Sequence, residues 1–327
     1  MDFDELTKYK IARPLWLLIF AIVVVFLILP GKEGQNMTKS EHDKDKIAKY
    51  NVLTPAEAEV ILKKGTESPY TGKYYKNKAG GVYTCKQCDA PLYSSQNKFD
   101  SDCGWPSFDD ELFRAVKRQS DSDGRRTEIL CANCDAHLGH VFLGEGFTSK
   151  NTRHCVNSIS MNFVPLEKTE RAIFASGCFW GTEYHFKKVK GVLLTSAGFT
   201  GGHVKSPYYQ QVCAGTTGHA EAIEVIFDPT KVSYEDLTKL YFETHDPTQI
   251  NRQGPDVGEQ YRSEIFYVDE HQKETAQKLV DQLKSKGYKV ATRLTPASPF
   301  WKAEDYHQDY YQKKNGTPYC HIYTKRF

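Results

Sequence analysis

The chain lacks a strong net charge and has no cluster of basic residues with interleaved aromatics. Its 43 Lys and Arg residues nearly balance 41 Asp and Glu residues, which leaves a formal net charge of +2. Nucleic-acid-binding proteins carry basic patches, so a nucleic-acid partner has no support here. With 39% hydrophobic and 26% charged residues, a chain that is disordered throughout is excluded. No internal repeat relates the two halves.

The sequence also lacks an even number of cysteines, since it contains nine. A plain disulfide framework would use cysteines in pairs. Four of them form two knuckles, Cys85-x-x-Cys88 and Cys131-x-x-Cys134, and this spacing is typical of a structural zinc site with four thiolates. One such motif alone could be a redox pair. Two in one region favour a single structural Zn²⁺ that joins two distant loops.

Long apolar runs are rare, and the main one occupies residues 15–29. With its flanks it reaches about 20 residues, which is enough to cross a bilayer. No small-residue cleavage site follows Leu29, so an uncleaved anchor is favoured over a signal peptide. We therefore expect a single transmembrane helix within residues 1–30 and a polar tether over residues 31–50. Basic residues on both sides leave the orientation open.

The rest of the chain predicts an α+β protein with two domains. A capping box at residues 54–57 predicts a helix that ends at Gly65. Residues 51–166 then contain short β-type runs broken by turn residues, which predicts a mostly antiparallel β domain that contains the zinc site. Residues 170–327 mix strand and helix patterns and predict an α/β sandwich-like domain. Its predicted elements are strands at 171–175, 221–227 and 263–268 and helices at 233–243 and 270–286. A further strand is predicted at 158–163 in the first domain.

Two of the remaining cysteines stand in reactive contexts. Cys155 lies in the segment 153–158, Arg-His-Cys-Val-Asn-Ser, and Cys178 lies in the segment 177–181, Gly-Cys-Phe-Trp-Gly. With Ser176 as the N-cap, Cys178 would lie in the first turn of a helix, where the helix dipole favours a thiolate. The alternative is that Cys178 is a small buried hydrophobe among core aromatics.

Four segments in order, 177–181, 217–221, 256–263 and 303–308, resemble the A-type peptide methionine sulfoxide reductases. The similarity extends over about residues 171–325. It implies that Cys178 is the nucleophile, that Glu221 is the acid, and that Cys320 is the resolving thiol. An acid in an apolar pocket has a raised pKa and can donate a proton. The same resemblance implies further site residues: Tyr209 and Tyr261 at the sulfoxide oxygen, Asp256 as a supporting polar group, and Phe179 and Trp180 in the methyl pocket.

Segments 98–108, 137–142 and 153–158 resemble the B-type reductases, over about residues 50–166. The resemblance implies that Cys155 is the nucleophile and Cys103 the resolving thiol, and that the two knuckles hold the family's structural zinc. It also assigns Trp105 to the substrate methyl group, and His140 and Asn157 to the sulfoxide oxygen; His137, Arg153 and His154 are further candidates. A core or zinc-neighbour role for His140 is the alternative. Asp102 stands where the family usually has glycine, and its charge is expected to raise the pKa of Cys103.

These resemblances imply a fused enzyme that reduces both epimers of methionine sulfoxide in oxidised proteins, in peptides and as the free amino acid. A cysteine sulfenic acid and then a disulfide would form, and a thioredoxin-like thiol would reduce the disulfide. No organic cofactor is expected, and the catalytic domains are expected on the extracytoplasmic side of a membrane. The alternatives are a membrane-tethered, zinc-containing redox sensor without turnover and a general thiol–disulfide oxidoreductase.

Overall fold

Regular structure begins at the capping box. In the computed structural model, which describes residues 50–327, helix α1 runs from Pro55 to Ile61. The side chain of Thr54 accepts the N–H of Glu57 at 3.3 Å, and the carboxylate of Glu57 accepts the N–H of Thr54 at 2.8 Å. Each side chain satisfies an N–H group that the first helical turn leaves free. The capping box is therefore confirmed, although the helix ends before Gly65.

The anchor predicted within residues 1–30 lies outside the described residues, as does nearly all of the predicted tether. Between residues 50 and 327, no helix has both the length and the apolar character that a membrane span requires.

The first half is rich in β-structure. Its strands are β1 Gly81–Cys85, β2 Pro91–Ser94, β3 Lys98–Phe99, β4 Ser107–Phe108, β5 Val116–Ser120, β6 Thr127–Cys131, β7 His137–Leu143, β8 Thr152–Val156 and β9 Met161–Pro165. They form a three-stranded sheet in the order β2-β1-β9 and a six-stranded sheet in the order β3-β4-β8-β7-β6-β5. All of these pairs are antiparallel, as predicted.

The strand predicted at residues 158–163 begins later than expected. Ser158–Ser160 form a 3₁₀ turn, and strand β9 starts at Met161. The N–H groups of Ser158 and Ile159 donate to the carboxylate of Glu67. Because these donors already have a partner from a distant loop, they do not enter the sheet ladder.

The second half is built on one six-stranded sheet. Its strands are β10 Glu170–Ser176, β11 Val192–Thr200, β12 Ala220–Phe227, β13 Arg252–Gln253, β14 Asp256–Val257, β15 Ser263–Tyr267, β16 Arg293–Pro296 and β17 Trp301–Lys302. Its helices are α2 Phe179–Phe186, α3 Tyr209–Cys213, α4 Tyr234–Thr244, α5 Glu270–Ser285 and α6 Tyr310–Lys314. The sheet order is β16-β15-β10-β12-β11-β17, with β13 and β14 as a separate pair. Only the β15–β16 pair of the large sheet is parallel.

Strand β10 shows how this sheet separates two apolar layers. Phe174 belongs to the larger core, which includes residues of α2, α4 and α5. Ile173 and Ala175 point the other way, into a smaller cluster that Ala297 and Phe300 complete. Helices therefore cover one face of a mostly antiparallel sheet, and the protein has the two-domain α+β architecture that the sequence predicts.

Candidate active sites

In the first half, the sheet register places candidate residues on both sides of Cys155. Cys155 pairs with His140 of β7 on one side and with Ser107 of β4 on the other. Directly paired residues project from the same face of a sheet, with Cβ atoms about 4.5–5.5 Å apart. His140, Cys155 and Ser107 therefore form a row across the sheet, which makes the imidazole of His140 a neighbour of the sulfur.

The second thiol of this site comes from the loop before β4. The Sγ atom of Cys103 lies 3.7 Å from the Sγ atom of Cys155 and 3.1 Å from the hydroxyl of Ser101. The hydrogen bond between the sulfurs lowers the pKa of Cys103, whose thiolate Ser101 and Ser107 also stabilise. That hydrogen bond, together with burial, raises the pKa of Cys155. The pair thus releases one proton readily and holds the second tightly.

The pKa of Cys103 is lowered rather than raised, mainly by its hydrogen bond to Cys155, and the charge of Asp102 is not among the main causes. The side chain of Asp102 is exposed, where water screens its charge. Its backbone has a φ of 54°, and its carbonyl accepts the hydroxyl of Tyr70 at 3.0 Å. A positive φ favours glycine, and aspartate is one of the few other residues that adopt it at small cost.

Two histidines near Cys155 are each held by a carboxylate. His140 Nε2 lies 2.7 Å from Asp121 Oδ2, and this hydrogen bond lowers the pKa of Asp121 to about 2. His137 Nδ1 lies 2.6 Å from Glu128 Oε1, and its Nε2 is buried without a hydrogen-bond partner among the described residues. Each carboxylate fixes the orientation of an imidazole ring.

The side-chain amide of Asn157 is hydrogen-bonded within the fold at both ends. Its Oδ1 accepts the N–H of Glu67 at 3.1 Å, and its Nδ2 donates to the carbonyl of Leu138 at 3.1 Å. The residue is only 3% exposed. Each end of the amide thus has a partner within the fold, and its contact with the sulfoxide oxygen stays a prediction.

Arg153 and His154 also have partners within the fold. Arg153 forms a bidentate ion pair with Glu145 at 2.6 and 2.8 Å. His154 is fully buried, with Nδ1 at 3.1 Å from the hydroxyl of Tyr93 and Nε2 at 3.1 Å from Glu111. His154 is therefore a core histidine on the side of β8 that faces away from Cys155.

Glu67 connects the parts of this site, and sequence reasoning missed it. Its carbonyl accepts the indole N–H of Trp105 at 3.1 Å, and its N–H donates to Asn157. Its carboxylate accepts the N–H groups of Ser158 and Ile159. Glu67, in the loop after α1, therefore holds both the indole of Trp105 and the turn that follows Cys155. The partners lie 38 to 92 residues away, so no local pattern reveals them.

The four knuckle cysteines converge on one point. Their sulfur atoms all lie within 4.8 Å of one another. Cys85 is 3.6 Å from Cys134, and Cys88 is 3.7 Å from Cys131. Zn–S bonds of about 2.3 Å in a tetrahedron require sulfurs about 3.8 Å apart. The donor set and its spacing are therefore compatible with a structural zinc ion.

In the second half, Cys178 is itself the N-cap residue of α2. The prediction that Ser176 caps this helix is wrong, because Ser176 is the last residue of β10 and its hydroxyl bonds to Thr182 at 2.7 Å. The expected thiolate is also not found. Burial raises the pKa of Cys178, and the negative charge of Glu221 raises it further. At this helix N-terminus, desolvation outweighs the helix dipole.

Glu221 lies on β12 beside the nucleophile. Its Oε2 accepts the N–H of Phe179, the residue after Cys178, at 3.2 Å. Its Oε1 is buried and has no hydrogen-bond partner among the described residues. Burial raises the pKa of Glu221 to about 8. At neutral pH the carboxyl group is therefore mostly protonated, with one oxygen free to face a substrate.

Tyr209, Tyr261 and Asp256 surround this carboxyl group. Burial raises the pKa of both tyrosines, and the charge of Glu221 is the second cause for each. Asp256 Oδ1 accepts the hydroxyl of Tyr319 at 3.3 Å, and its charge raises the pKa of Glu221. Two phenol groups thus lie near the acid, and Asp256 holds the residue that precedes Cys320.

The two aromatics after Cys178 differ in exposure. Phe179 is buried in the core, whereas Trp180 is half-buried. The indole of Trp180 stacks on Tyr310 with 3.6 Å between ring centroids, and its N–H donates to His307 Nδ1 at 3.0 Å. Sequence reasoning missed His307, whose segment was singled out only as a family motif. The two aromatics provide an apolar surface beside the nucleophile, with Trp180 fixed from two sides.

Cys320 lies in a segment that contacts the turn of the nucleophile, since His321, the next residue, bonds to the carbonyl oxygen of Ser176 at 2.9 Å. Cys320 is buried in the segment that follows α6, and its charge is among the causes that raise the pKa of Cys178. Burial and the charge of Asp256 raise the pKa of Cys320 to about 12. Cys213, which the sequence suggests is a buried structural thiol without a catalytic role, is instead exposed at the end of α3.

Two family models match the chain. The SelR domain matches residues 53–165, and the peptide methionine sulfoxide reductase model matches residues 170–327. Peptide methionine sulfoxide reductase MsrA of Deinococcus radiodurans is 46% identical over 186 residues, which are 56% of this chain and 90% of the relative. The chain belongs to the peptide methionine sulfoxide reductase family. It joins a B-type domain to an A-type domain that follows it, and it is a peptide-methionine sulfoxide reductase.

A second relative agrees with this assignment. The MsrA protein of Methanosarcina acetivorans is 52% identical over 153 residues, which are 46% of this chain and 81% of the relative. A solved structure of Mxr1 from Saccharomyces cerevisiae in reduced form is similar with a TM-score of 0.46 and 34% identity, over 49% of this chain and 94% of that one.

Replacing Glu67 should damage the first site from a distance. In Glu67→Ala, the N–H groups of Ser158 and Ile159 lose their charged acceptor, which should lower the free energy of unfolding by about 2–3 kcal/mol. The carbonyl that accepts the Trp105 N–H remains, but the loop that carries it loses its carboxylate anchor, so Trp105 should shift and the KM of this site should rise. Denaturant unfolding and kinetics in a Cys178→Ser background measure both effects. Glu59→Ala, which removes an exposed pair with Lys63, should change neither. An unaltered KM in Glu67→Ala would contradict the assignment.

Glu221→Gln should remove the proton donor of the second site. We expect methionine formation in a single turnover to slow about 10²-fold or more. In the unsubstituted chain the rate should fall as pH rises through about 8, because the carboxyl group then loses its proton. The raised pKa also means that this residue's contribution to stability is lost as pH rises through that value. Rapid quench from pH 6 to 9 measures the rate.

The matched control is Glu224→Gln on the same strand, whose carboxylate pairs with Arg171 at the surface. It should keep the pH profile of the unsubstituted chain. The role given to Glu221 fails if Glu221→Gln retains the same loss of rate near pH 8.

Proposed function

We propose that the second half reduces the S epimer of methionine sulfoxide and the first half the R epimer. The substrates are oxidised proteins and peptides, and free methionine sulfoxide. The observation that carries the proposal is that each half holds a partly or fully buried cysteine close to a second cysteine from a distant segment of the chain. The second cysteine near Cys155 is Cys103, which is 52 residues away, and the second cysteine near Cys178 is Cys320.

In the second half, the Cys178 sulfur attacks the sulfur of the sulfoxide. Glu221 gives its proton to the sulfoxide oxygen, with Tyr209 and Tyr261 as further hydrogen-bond donors. The S–O bond of the substrate then breaks as its hydroxyl passes to the Cys178 sulfur, and the bond between the two sulfurs breaks with it. Methionine leaves, and Cys178 becomes a sulfenic acid. The proton of the Cys178 thiol replaces the one that Glu221 gave. The free Oε1 of Glu221 supports this role, since it has no partner among the described residues.

The resolving step then forms the disulfide. The sulfur of Cys320 bonds to the sulfur of Cys178, the S–O bond of the sulfenic acid breaks, and the hydroxyl leaves as water with the Cys320 proton. A thioredoxin-like dithiol returns the disulfide to two thiols by exchange. Phe179 and Trp180 bind the substrate methyl group.

In the first half, Cys155 attacks and Cys103 resolves. Their separation of 3.7 Å allows a disulfide to form with a small movement of the loop that carries Cys103. His140, beside Cys155 on the next strand, donates to the sulfoxide oxygen, and Asp121 holds its ring. Trp105 covers the methyl group, and Asn157 positions the turn after Cys155.

We also propose that Cys85, Cys88, Cys131 and Cys134 hold one structural Zn²⁺. When bound, the ion supplies only a crosslink between the two turns that follow strands β1 and β6. The two turns have the same geometry, which supports this assignment. The backbone N–H of Asp89 donates to the carbonyl oxygen of Cys85 at 2.9 Å, and that of Asp135 donates to the carbonyl oxygen of Cys131 at 3.0 Å. Such a crosslink adds stability that a small β domain lacks.

Serine at either nucleophile should remove one of the two activities and leave the other. Cys178→Ser should abolish methionine formation from the S epimer and leave turnover of the R epimer near that of the unsubstituted chain, and Cys155→Ser should do the reverse. Each variant is the matched control of the other, because Phe179 beside Cys178 and Val156 beside Cys155 belong to separate apolar cores. The assay uses each chirally pure epimer with dithiothreitol. Loss of both activities in either variant would contradict two independent sites, and no turnover at all would favour a sensor.

Removing one knuckle thiol should destabilise the first half. The unsubstituted protein should contain about one zinc per chain. Cys88→Ser should lose it and show a lower thermal midpoint, because the crosslink is broken. Atomic absorption and calorimetry measure both. Cys213→Ser replaces an exposed cysteine outside the cluster and should retain the metal and the midpoint. A Cys88→Ser protein with an unchanged midpoint would argue against a structural metal.

A further inference from the structure

His321 follows Cys320 directly and contacts its sulfur. The Nδ1 atom lies 3.1 Å from the Cys320 Sγ atom, and both residues are buried. The Nε2 atom lies 2.9 Å from the carbonyl oxygen of Ser176. A carbonyl oxygen only accepts hydrogen bonds, so Nε2 carries the ring hydrogen. The lone pair of Nδ1 therefore faces the thiol, which donates its S–H to it.

The imidazole is held against the turn that carries the nucleophile. Ser176 precedes the Gly-Cys-Phe-Trp-Gly segment, and Thr182, whose hydroxyl lies 3.2 Å from Nε2, follows it. A Cβ atom at Gly181 would lie 2.2 Å from Nδ1 of His321. Only glycine at position 181 leaves room for the ring. The ring thus connects the resolving thiol to the backbone before Cys178 and to the side chain of Thr182 after it.

The ring stays neutral over the working pH range. Burial lowers the pKa of His321 to about 3, and the nearby His245 and His185 oppose a further positive charge. His185 also bonds to the carbonyl of His321 at 3.0 Å. A neutral ring whose Nε2 hydrogen is already engaged has one free function, which is to accept a hydrogen bond at Nδ1.

We propose that His321 is a catalytic residue of the resolving step, which rests on the function proposed for this half. Its Nδ1 accepts the S–H of Cys320 and directs a sulfur lone pair toward Cys178. When the S–S bond forms, the S–O bond of the Cys178 sulfenic acid breaks, and the proton held at Nδ1 leaves with the hydroxyl as water. Methionine formation precedes this step and does not use His321.

Two substitutions distinguish the hydrogen bond at Nδ1 from the hydrogen bond at Nε2. In His321→Asn, the amide oxygen replaces the acceptor at the Nδ1 position. In His321→Gln, the longer side chain keeps a donor for Ser176 but loses that acceptor. Each protein is mixed with the S epimer without reductant and quenched at intervals. Methionine is quantified, and the Cys178–Cys320 disulfide is measured by peptide mass spectrometry.

We expect the same burst of methionine from all three proteins. Disulfide formation should be about tenfold slower in His321→Gln, as expected for the loss of one hydrogen bond, and near the unsubstituted rate in His321→Asn. Unchanged disulfide formation in His321→Gln overturns the inference, as does equal slowing in both variants. Absence of a methionine burst in the unsubstituted protein would instead reject the proposed function.

A measurement without substitution tests the same point. Nitrogen NMR of the reduced, unsubstituted protein should show Nδ1 of His321 without a hydrogen and Nε2 with one. The Nδ1 resonance should move when Cys320 enters the disulfide, because the S–H donor is gone. A hydrogen on Nδ1 in the reduced protein would overturn the inference even if both variants failed to fold.

Discussion

Burial of ionisable groups is the constraint on which both sites depend. In the second site, burial raises the pKa of Cys178 and of Glu221, since each would lose hydration as an anion. The resting site therefore holds a thiol and a carboxylic acid, both neutral. A substrate oxygen meets a proton donor at once, and no buried negative charge has to be compensated beforehand. The Cys178 proton is released only as its sulfur attacks.

The first site satisfies the same constraint with different groups. Cys103 and Cys155 are hydrogen-bonded across 3.7 Å, and that bond together with the hydroxyl groups of Ser101 and Ser107 lowers the pKa of Cys103. The frameworks also differ. Cys155 lies within a strand, where the ladder fixes its neighbours, whereas Cys178 caps a helix and obtains Cys320 from a distant segment. The same proposed oxygen transfer would thus take place on two unrelated arrangements of backbone.

Sequence patterns predicted the elements whose signals are local. The capping box at the start of α1 and the amphipathic helix at 270–286, observed as Glu270–Ser285, were correct. Predictions failed where a distant partner competes. Glu67 takes the N–H groups that a strand at Ser158 would have used, and the turn after Ser176 shifts the cap to Cys178. The motifs identified the reactive residue types, but the pKa of Cys178 and the contacts of His321 depend on burial and long-range packing.

The most direct test of two separate thiol sites is to locate the disulfide that each substrate produces. The fully reduced, unsubstituted chain is given one equivalent of a single epimer without reductant, alkylated and mapped by mass spectrometry. The S epimer should yield the Cys178–Cys320 disulfide and leave Cys103 and Cys155 alkylated, and the R epimer should yield the reverse. The account is contradicted if either epimer oxidises both pairs equally, or if a knuckle cysteine enters the disulfide.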